Sequence, residues 1–417
     1  MKLTFVSNYF NHHQRPLCDA FDKASGVDFC FISTEPMEEE RVRMGWGIDV
    51  SGFKYLMEYF DDPEKADARI QDSDVVIWGG AYNKEAEKSL YKRVESGKLT
   101  FRYSERIYKE GQWKFISPRG IKEKYKEHTR FRRYPFYLLC AGAYVGSDYR
   151  LIGGYPKKKF VWGYFPEFRE YDTEKLMGMK SREGEPVRLL WAGRMIDWKH
   201  PEIPVLTAEM LLKGAPYLNK DYPGLIEKKG GFVLTMAGGG DMEDELKSMV
   251  RKKGLESVVR FTGFMTPDDI RTEMERSDIF LFTSDRKEGW GAVLNEAMNS
   301  GCLVVTRPEI GAVPYMVQHG LNGMVTCADI YRFAGTTGWI ILNREEISRQ
   351  GIKAYETVRD SWNAENAADS FLKTAAALLK GGEIIYSEKD PVTGALKPMC
   401  KDPEISPNFG SRFVHRY

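Results

Sequence analysis

The sequence predicts an α/β protein of two doubly wound parallel-sheet domains, and three observations point there. A chain of 417 residues exceeds the size at which one hydrophobic core keeps growing, so two domains are expected. Short apolar runs, rich in β-branched and aromatic side chains and bounded by Gly, read as buried parallel strands. Helical stretches alternate with those runs in both halves, the rhythm of strand–helix–strand units.

Taken in order, the first half offers strands at Leu3–Ser7, Asp28–Ser33, Asp74–Gly79, Tyr137–Ala141 and Lys159–Tyr164. The run Met1-Lys-Leu-Thr-Phe-Val-Ser is too short an apolar stretch for a signal peptide, so it reads as the first of these strands. A polar stretch over 168–186, ending in Gly-Glu-Pro, marks the domain boundary. The second half repeats the rhythm at Val187–Ala192, Phe232–Ala237, Val258–Phe261, Ile279–Thr283, Leu303–Thr306 and Gly323–Thr326. The expected domains are 1–170 and 187–361, followed by a helix over 362–380 and a surface tail over 381–417.

Composition narrows the class. Apolar content of 42% and charged content of 29% are those of an ordinary soluble protein. A net charge of +1 gives no global reason to invoke nucleic acid, and no run of about 18 apolar residues predicts a membrane span. The six cysteines (18, 30, 140, 302, 327 and 400) stand singly, without a Cys-x-x-Cys pair, as expected for reduced thiols in a cytoplasmic protein. The histidines show no ligand spacing either, so no metal site is expected. Asp72-Ser-Asp74 has the Asp-x-Asp form of a metal motif but opens a strand rather than closing one.

The chemistry concentrates in the second half. In Ala-Gly-Arg194-Met-Ile-Asp-Trp-Lys199 two cations follow an apolar strand, at the carboxyl edge where parallel sheets bind ligands. Fixed cations there suit a diphosphate, and they stabilise it more as it departs with growing charge. In Glu288-Gly-Trp-Gly-Ala-Val-Leu-Asn-Glu296 two glutamates bracket a Gly-rich turn between a strand and a helix. Glycines let the backbone approach a ligand closely, and the new helix turns its N–H groups toward an anion. Glu296 is placed to grip a ribose diol and Glu288 to face a sugar ring; Trp290 fits packing or recognition. Gly263 and Phe264, at the end of Val258-Val-Arg-Phe-Thr-Gly-Phe, open backbone groups for a nucleobase edge or make a plain strand–helix turn. Gly238-Gly239-Gly240 reads as a flexible strand end, since adjacent glycines lack the dinucleotide spacing Gly-x-Gly-x-x-Gly.

Gly193-Arg194…Lys199, Gly238-Gly-Gly, Phe261-Thr-Gly263, the run Phe282 to Met298 holding both glutamates, and His319-Gly-Leu-Asn-Gly323 occur in this order over roughly 187–330. Together they resemble family 4 of the glycosyltransferases, retaining enzymes of GT-B fold with a Glu-x7-Glu motif. The resemblance implies two facing Rossmann-like domains with a deep interdomain cleft, donor on the C-terminal one and acceptor on the N-terminal one. The helix over 362–380 would pack back toward the N-terminal domain. It implies that Arg194 and Lys199 bind the donor diphosphate, that Glu288 approaches the transferred sugar and that Glu296 binds ribose. Backbone of Gly289, Trp290, Gly291, Ala292 and Val293 would hold phosphate and sugar. The chain departs from the family in the loop after its first strand, Ser7-Asn-Tyr-Phe-Asn-His-His-Gln, which lacks glycine, and at Tyr315, where many members carry an acid. Both departures bear on acceptor and sugar rather than on the nucleotide.

On the acceptor side His12 and His13 are the acid–base candidates, able to orient a hydroxyl or carry a proton, and Glu105 is a further one. Residues 88–133 hold fifteen Lys/Arg against five Glu, a local net of 15 − 5 = +10, with aromatic residues interleaved. That pattern suits an anionic inner membrane face or a lipid-diphosphate acceptor, or else a set of solvated helices.

The expected activity is a retaining, hexosyl-transferring glycosyltransferase of polysaccharide, glycolipid or other surface-glycan biosynthesis. A UDP-sugar is the expected donor and a glycan or lipid-linked molecule the acceptor, with neither metal nor nucleic acid. The expected place is the cytoplasm, peripheral at the inner membrane face. The alternative is a catalytically silent GT-B protein binding a glycan or partner. An NAD(P) oxidoreductase is disfavoured, because the first strand's exit loop lacks a glycine fingerprint.

Overall fold

The computed structural model describes residues 1–39, 47, 49–81, 83–214, 222–327 and 329–381. Most of the tail expected over 381–417, Cys400 included, lies outside the described residues. The described chain divides into two compact units, Met1–Glu167 with residues 360–381, and Phe168–Arg359.

The first unit holds a parallel sheet of seven strands: β1 (Lys2–Ser7), β2 (Asp28–Ser33), β3 (Leu56–Glu58), β4 (Val75–Trp78), β5 (Thr100–Ser104), β6 (Phe136–Ala141) and β7 (Lys159–Trp162). Their order is β3-β2-β1-β4-β5-β6-β7. The chain therefore winds outward from β1 one way, then returns and winds the other way from β4. Leu3, Phe5, Val6, Trp78 and Trp162 are buried, as strands covered on both faces require.

Two strands go beyond the expected set. β3 is only three residues long at the sheet edge. β5 breaks its apolar run with Arg102, although Phe101 is fully buried. Helix Ala364–Leu379 starts at Asn363, whose side chain accepts from the Asn366 N–H at 2.9 Å. It packs within the first unit, its Phe371 ring 5.5 Å from Phe21, 4.9 Å from Phe101 and 6.0 Å from Trp162.

The second unit repeats the scheme with β8 (Val187–Ala192), β9 (Phe232–Ala237), β10 (Val259–Gly263), β11 (Ile279–Phe282), β12 (Leu303–Thr306) and β13 (Met324–Val325). Its order is β10-β9-β8-β11-β12-β13, again parallel throughout. The winding reverses between β8 and β11, and such a reversal opens a crevice at the carboxyl ends of the strands. In the first unit the corresponding reversal lies between β1 and β4.

Two cations from charged or polar stretches of the sequence, Arg93 and Lys180, are core supports. Arg93 is fully buried and donates to the carbonyls of Ile70 (2.7 Å), Ser73 (2.8 Å), Asp74 (3.1 Å) and Leu99 (2.9 Å). Lys180 donates to the carbonyls of Ser277 (2.7 Å) and Ser300 (2.9 Å), the residues that end helices Pro267–Arg276 and Val293–Asn299. Helix ends leave carbonyls without intrahelical partners, and this buried ammonium supplies two of them. Cys18, Cys30 and Cys302 are buried thiols, and burial pushes Cys30 up to about 11, so they stay protonated and unreactive. Asp74 of the Asp-x-Asp run accepts from the Lys2 backbone N–H at 2.7 Å.

Candidate functional site

The exits of β8 and β11 flank the winding reversal of the second unit, and they are tied together. The Asp285 N–H donates to the Trp198 carbonyl at 3.0 Å, and the Thr283 hydroxyl donates to the Lys199 carbonyl at 2.8 Å. Trp191 in β8 donates its indole N–H to that same hydroxyl at 2.9 Å. On this frame Lys199 Nζ pairs with Glu288 Oε2, and the Ser284 hydroxyl donates to the same oxygen at 2.9 Å. Both side chains are largely buried, with 15% and 11% of their surface accessible. A largely buried ion pair of this kind is held only where hydrogen bonds satisfy it.

Arg194 stands differently. It is exposed, and among the described residues its guanidinium makes no salt bridge or hydrogen bond. An unpaired guanidinium at a sheet's carboxyl edge keeps its full capacity for a bidentate anion. Its backbone is nonetheless fixed: the Met195 N–H donates to the Gly239 carbonyl at 2.8 Å and the Gly193 N–H to the Ala237 carbonyl at 3.0 Å.

The three adjacent glycines thus have a packing role that a flexible strand end would not. Gly238 has φ +118° and Gly240 φ +148°, and a methyl on Gly240 would come within 2.7 Å of the Met195 carbonyl oxygen. Gly238 also donates to the Gly263 carbonyl at 2.8 Å, which joins the exits of β9 and β10. Just beyond, Phe264 is 64% exposed with its ring against Gly239, an aromatic face open for stacking.

In the glycine turn, Gly291 has φ +93°, and a methyl there would lie 2.5 Å from the Phe282 ring. The Ala312 N–H donates to the Trp290 carbonyl at 3.2 Å, so the β12 exit braces the turn. Trp290 itself is fully buried, its indole N–H bonded to Asn295 Oδ1 at 2.9 Å. Its side chain is therefore packing, and backbone is what Gly289–Val293 can offer a ligand. Glu296 lies in the first turn of helix Val293–Asn299, half-buried, with Ala292 and Val293 half-buried before it.

In the first unit His12 and His13 occupy the exit of β1, at that unit's own reversal. Their rings lie 3.9 Å apart, and the His13 N–H donates to Asn11 Oδ1 at 2.9 Å. Burial lowers the His12 pKa, so its imidazole is neutral at pH 7. Glu105, just past β5, accepts from the Tyr164 hydroxyl at 2.8 Å and pairs with Lys109 at 2.5 Å.

This row of exits matches known proteins. Residues 192–357 match the family described as glycosyl transferases group 1. Among curated relatives, an amylovoran biosynthesis glycosyltransferase of Erwinia amylovora is 32% identical over 24% of this chain and 26% of its own. A GDP-mannose-dependent phosphatidylinositol monomannoside mannosyltransferase of Mycobacterium tuberculosis is 25% identical over 41% of this chain and 46% of its own. The chain thus spans less than half the length of either relative. Among solved structures, Anabaena Alr3699/HepE in complex with UDP superposes with a TM-score of 0.63 at 16% identity, over 90% of this chain and all of that one. The likeness shows the fold, which is GT-B.

Sequence reading missed Ser284, whose hydroxyl donates to Glu288, and Asp285 and His200, which face each other across the β8 and β11 exits; their one signal in the sequence is nearness to Lys199 and Glu288.

Proposed function

We propose that this protein is a retaining glycosyltransferase that moves a hexosyl group from a nucleotide-diphosphate sugar to a hydroxyl acceptor. The observation that carries the reading is Lys199 paired with Glu288 at the β8/β11 reversal, with Arg194 on the same β8 exit exposed and, among the described residues, without a salt bridge. A departing diphosphate gains charge, and preorganised cations there act on the transition state. Arg194 and Lys199 take that role without a metal. Glu288 faces the sugar, Glu296 accepts from the ribose diol, and Gly263 with Phe264 receives the base. No protein nucleophile is required, since the leaving phosphate takes the acceptor's proton on the same face. On the other unit, neutral His12 with His13 orients the acceptor hydroxyl.

A UDP-sugar is the proposed donor, supported by the UDP and UDP-glucose complexes of HepE. The acceptor is a glycan or lipid-linked molecule, in keeping with relatives named for exopolysaccharide and phosphatidylinositol mannoside synthesis. The test is a panel of UDP-, GDP-, ADP- and CMP-sugars with EDTA present, read by thermal shift and donor hydrolysis. Stabilisation by one nucleotide together with release of its sugar is expected. No shift with any of them decides for a silent binding protein.

The protein is further proposed to be cytoplasmic and to touch an anionic membrane. No described helix is long and apolar enough to cross one. The basic stretch contributes less than its count, since Arg93 is buried and Arg106 is buried against Asp148 at 3.1 Å. The open part is the 3-10 turn Gln112–Ile116 and helix Pro118–Glu127, where Trp113, Ile116, Ile121 and Tyr125 are 68%, 66%, 47% and 57% exposed. Lys114, Lys122 and Lys126 lie in the same segments. Burying a large apolar side chain contributes about 1.5–3 kcal/mol, and each nearby cation contributes about 1 kcal/mol at an anionic surface. W113A/I116A should therefore weaken co-sedimentation with phosphatidylglycerol vesicles by about 100-fold or more. Equal sedimentation of variant and wild type would refute the contact.

A further inference from the structure

His200 follows Lys199 directly, and no part of the proposed reaction uses it. Its backbone is left-handed, with φ 49° and ψ 53°, a conformation that favours Gly and Asn. Histidine is kept there while its ring spans two carboxylates. Nδ1 lies 2.8 Å from Glu202 Oε1, at the start of helix Glu202–Lys213, and Nε2 lies 3.7 Å from Asp285 Oδ2, on the β11 exit. The first distance is a hydrogen bond and the second an ion-pair separation. Asp285 is three residues before Glu288, whose N–H donates to the Asp285 carbonyl at 3.1 Å.

We propose that His200 is a positioning residue of the donor site, an imidazolium clamp that locks the loop carrying Lys199 to the loop carrying Glu288. The role rests on the donor-site reading above. A singly protonated ring donates through one nitrogen only, whereas an imidazolium donates through both, so two facing carboxylates select the cation. Proximity to Asp285 first and Glu202 second raises the His200 pKa to about 9, while burial and Arg307 on the β12 exit act against them. Asp285 responds in the other sense. Burial pushes it up, but His200, the Lys287 N–H and the Lys287 charge hold it below its ordinary value. The same segments also carry Asp197 and Lys199 on the β8 exit, Arg286 and Glu288 on the β11 exit, and Glu309, which lies 3.6 Å from Arg307, on the β12 exit.

The sign follows from the direction. A histidine raised in the folded state contributes its full stabilisation below the ordinary value of 6.5 and loses it as pH rises through about 9. Above that pH the loops stay joined by the Asp285–Trp198 and Thr283–Lys199 bonds, but the side-chain tie is gone.

The experiment pairs His200→Gly, which suits the left-handed backbone, with His200→Asn, which suits it and keeps a polar group. Each is compared with wild type for donor hydrolysis from pH 7 to 10 and for UDP affinity. Imidazole titration by nitrogen NMR is assigned through the same variants. Wild-type kcat/KM should fall with loss of one proton near pH 9. Both variants should lack that limb and turn over about 10-fold more slowly at pH 7, with a Tm deficit at pH 7 that closes as pH rises through about 9. Asp285→Asn should bring the imidazole midpoint down. A midpoint near 6.5 in wild type overturns the clamp. Variants that keep both the rate and the alkaline limb overturn the positioning role. A wild type that binds no nucleotide removes the donor-site reading and this role with it, while the titration still decides whether the clamp exists.

Discussion

Arg194→Ala should lower donor turnover by about 100- to 1000-fold while shifting Tm by no more than about 2 °C. The asymmetry follows from where the guanidinium stands. It is exposed and, among the described residues, makes no salt bridge or side-chain hydrogen bond, so its removal opens no cavity and strands no buried charge. Substitutions of that kind move stability by about 0.5 kcal/mol at most, and a domain near 200 residues shifts about 2–4 °C per kcal/mol. Loss of one preorganised donor to a developing oxyanion costs about 2.7–4 kcal/mol in the transition state. Lys199 and Glu288 are poorer probes of chemistry, because removing either strands its largely buried partner and costs stability as well. Kinetics and melting on the same Arg194→Ala preparation decide the matter. Unchanged turnover, or an equal loss in both readouts, removes Arg194 from diphosphate binding.

How far the sequence could reach is clearest from single residues. The strand runs were legible because a parallel sheet covered on both faces leaves continuous apolar segments such as Phe280-Leu281 and Val304-Val305, all fully buried. β5 was not, because Arg102 interrupts it and propensity alone does not foresee a charged side chain within a sheet. Lys199 and Glu288 were each legible as residues at strand exits, but the ion pair between them was not, because 89 residues of chain separate them. The clamp was not: nothing local says that His200 turns left-handed or that Asp285, 85 residues on, meets it. Buried cations fail for the same reason. Lys180 finds the Ser300 carbonyl across 120 residues of chain, and only the folded backbone brings that acceptor within reach. Trp290 was legible as a member of the turn, but its burial depends on Asn295 and the β12 exit, which tertiary packing supplies.

Gly238→Ala should be among the most damaging single substitutions in the chain, lowering stability by about 3–5 kcal/mol and Tm by about 10 °C, with loss of nucleotide binding. At φ +118° an L side chain is strained whatever the space around it, and here there is none, since the methyl would overlap the Gly193 carbonyl oxygen. Neither backbone has room to yield. Gly193 donates to the Ala237 carbonyl at 3.0 Å, and Gly238 donates to the Gly263 carbonyl at 2.8 Å, so both segments are stitched to neighbouring strands. Relief therefore requires breaking one of those bonds, and each break shifts either Arg194 or the Gly263–Phe264 exit. Gly254→Ala is the control, because Gly254 also has positive φ (+59°) but nothing within 4 Å of the added carbon. That variant should lose only the backbone preference, about 1–2 kcal/mol, and keep its donor affinity. Melting and UDP titration of the two variants separate close approach from conformational preference: were Gly238→Ala as mild as Gly254→Ala, the three glycines would be a flexible strand end after all, and the tight join between the β8 and β9 exits would not be what aims Arg194.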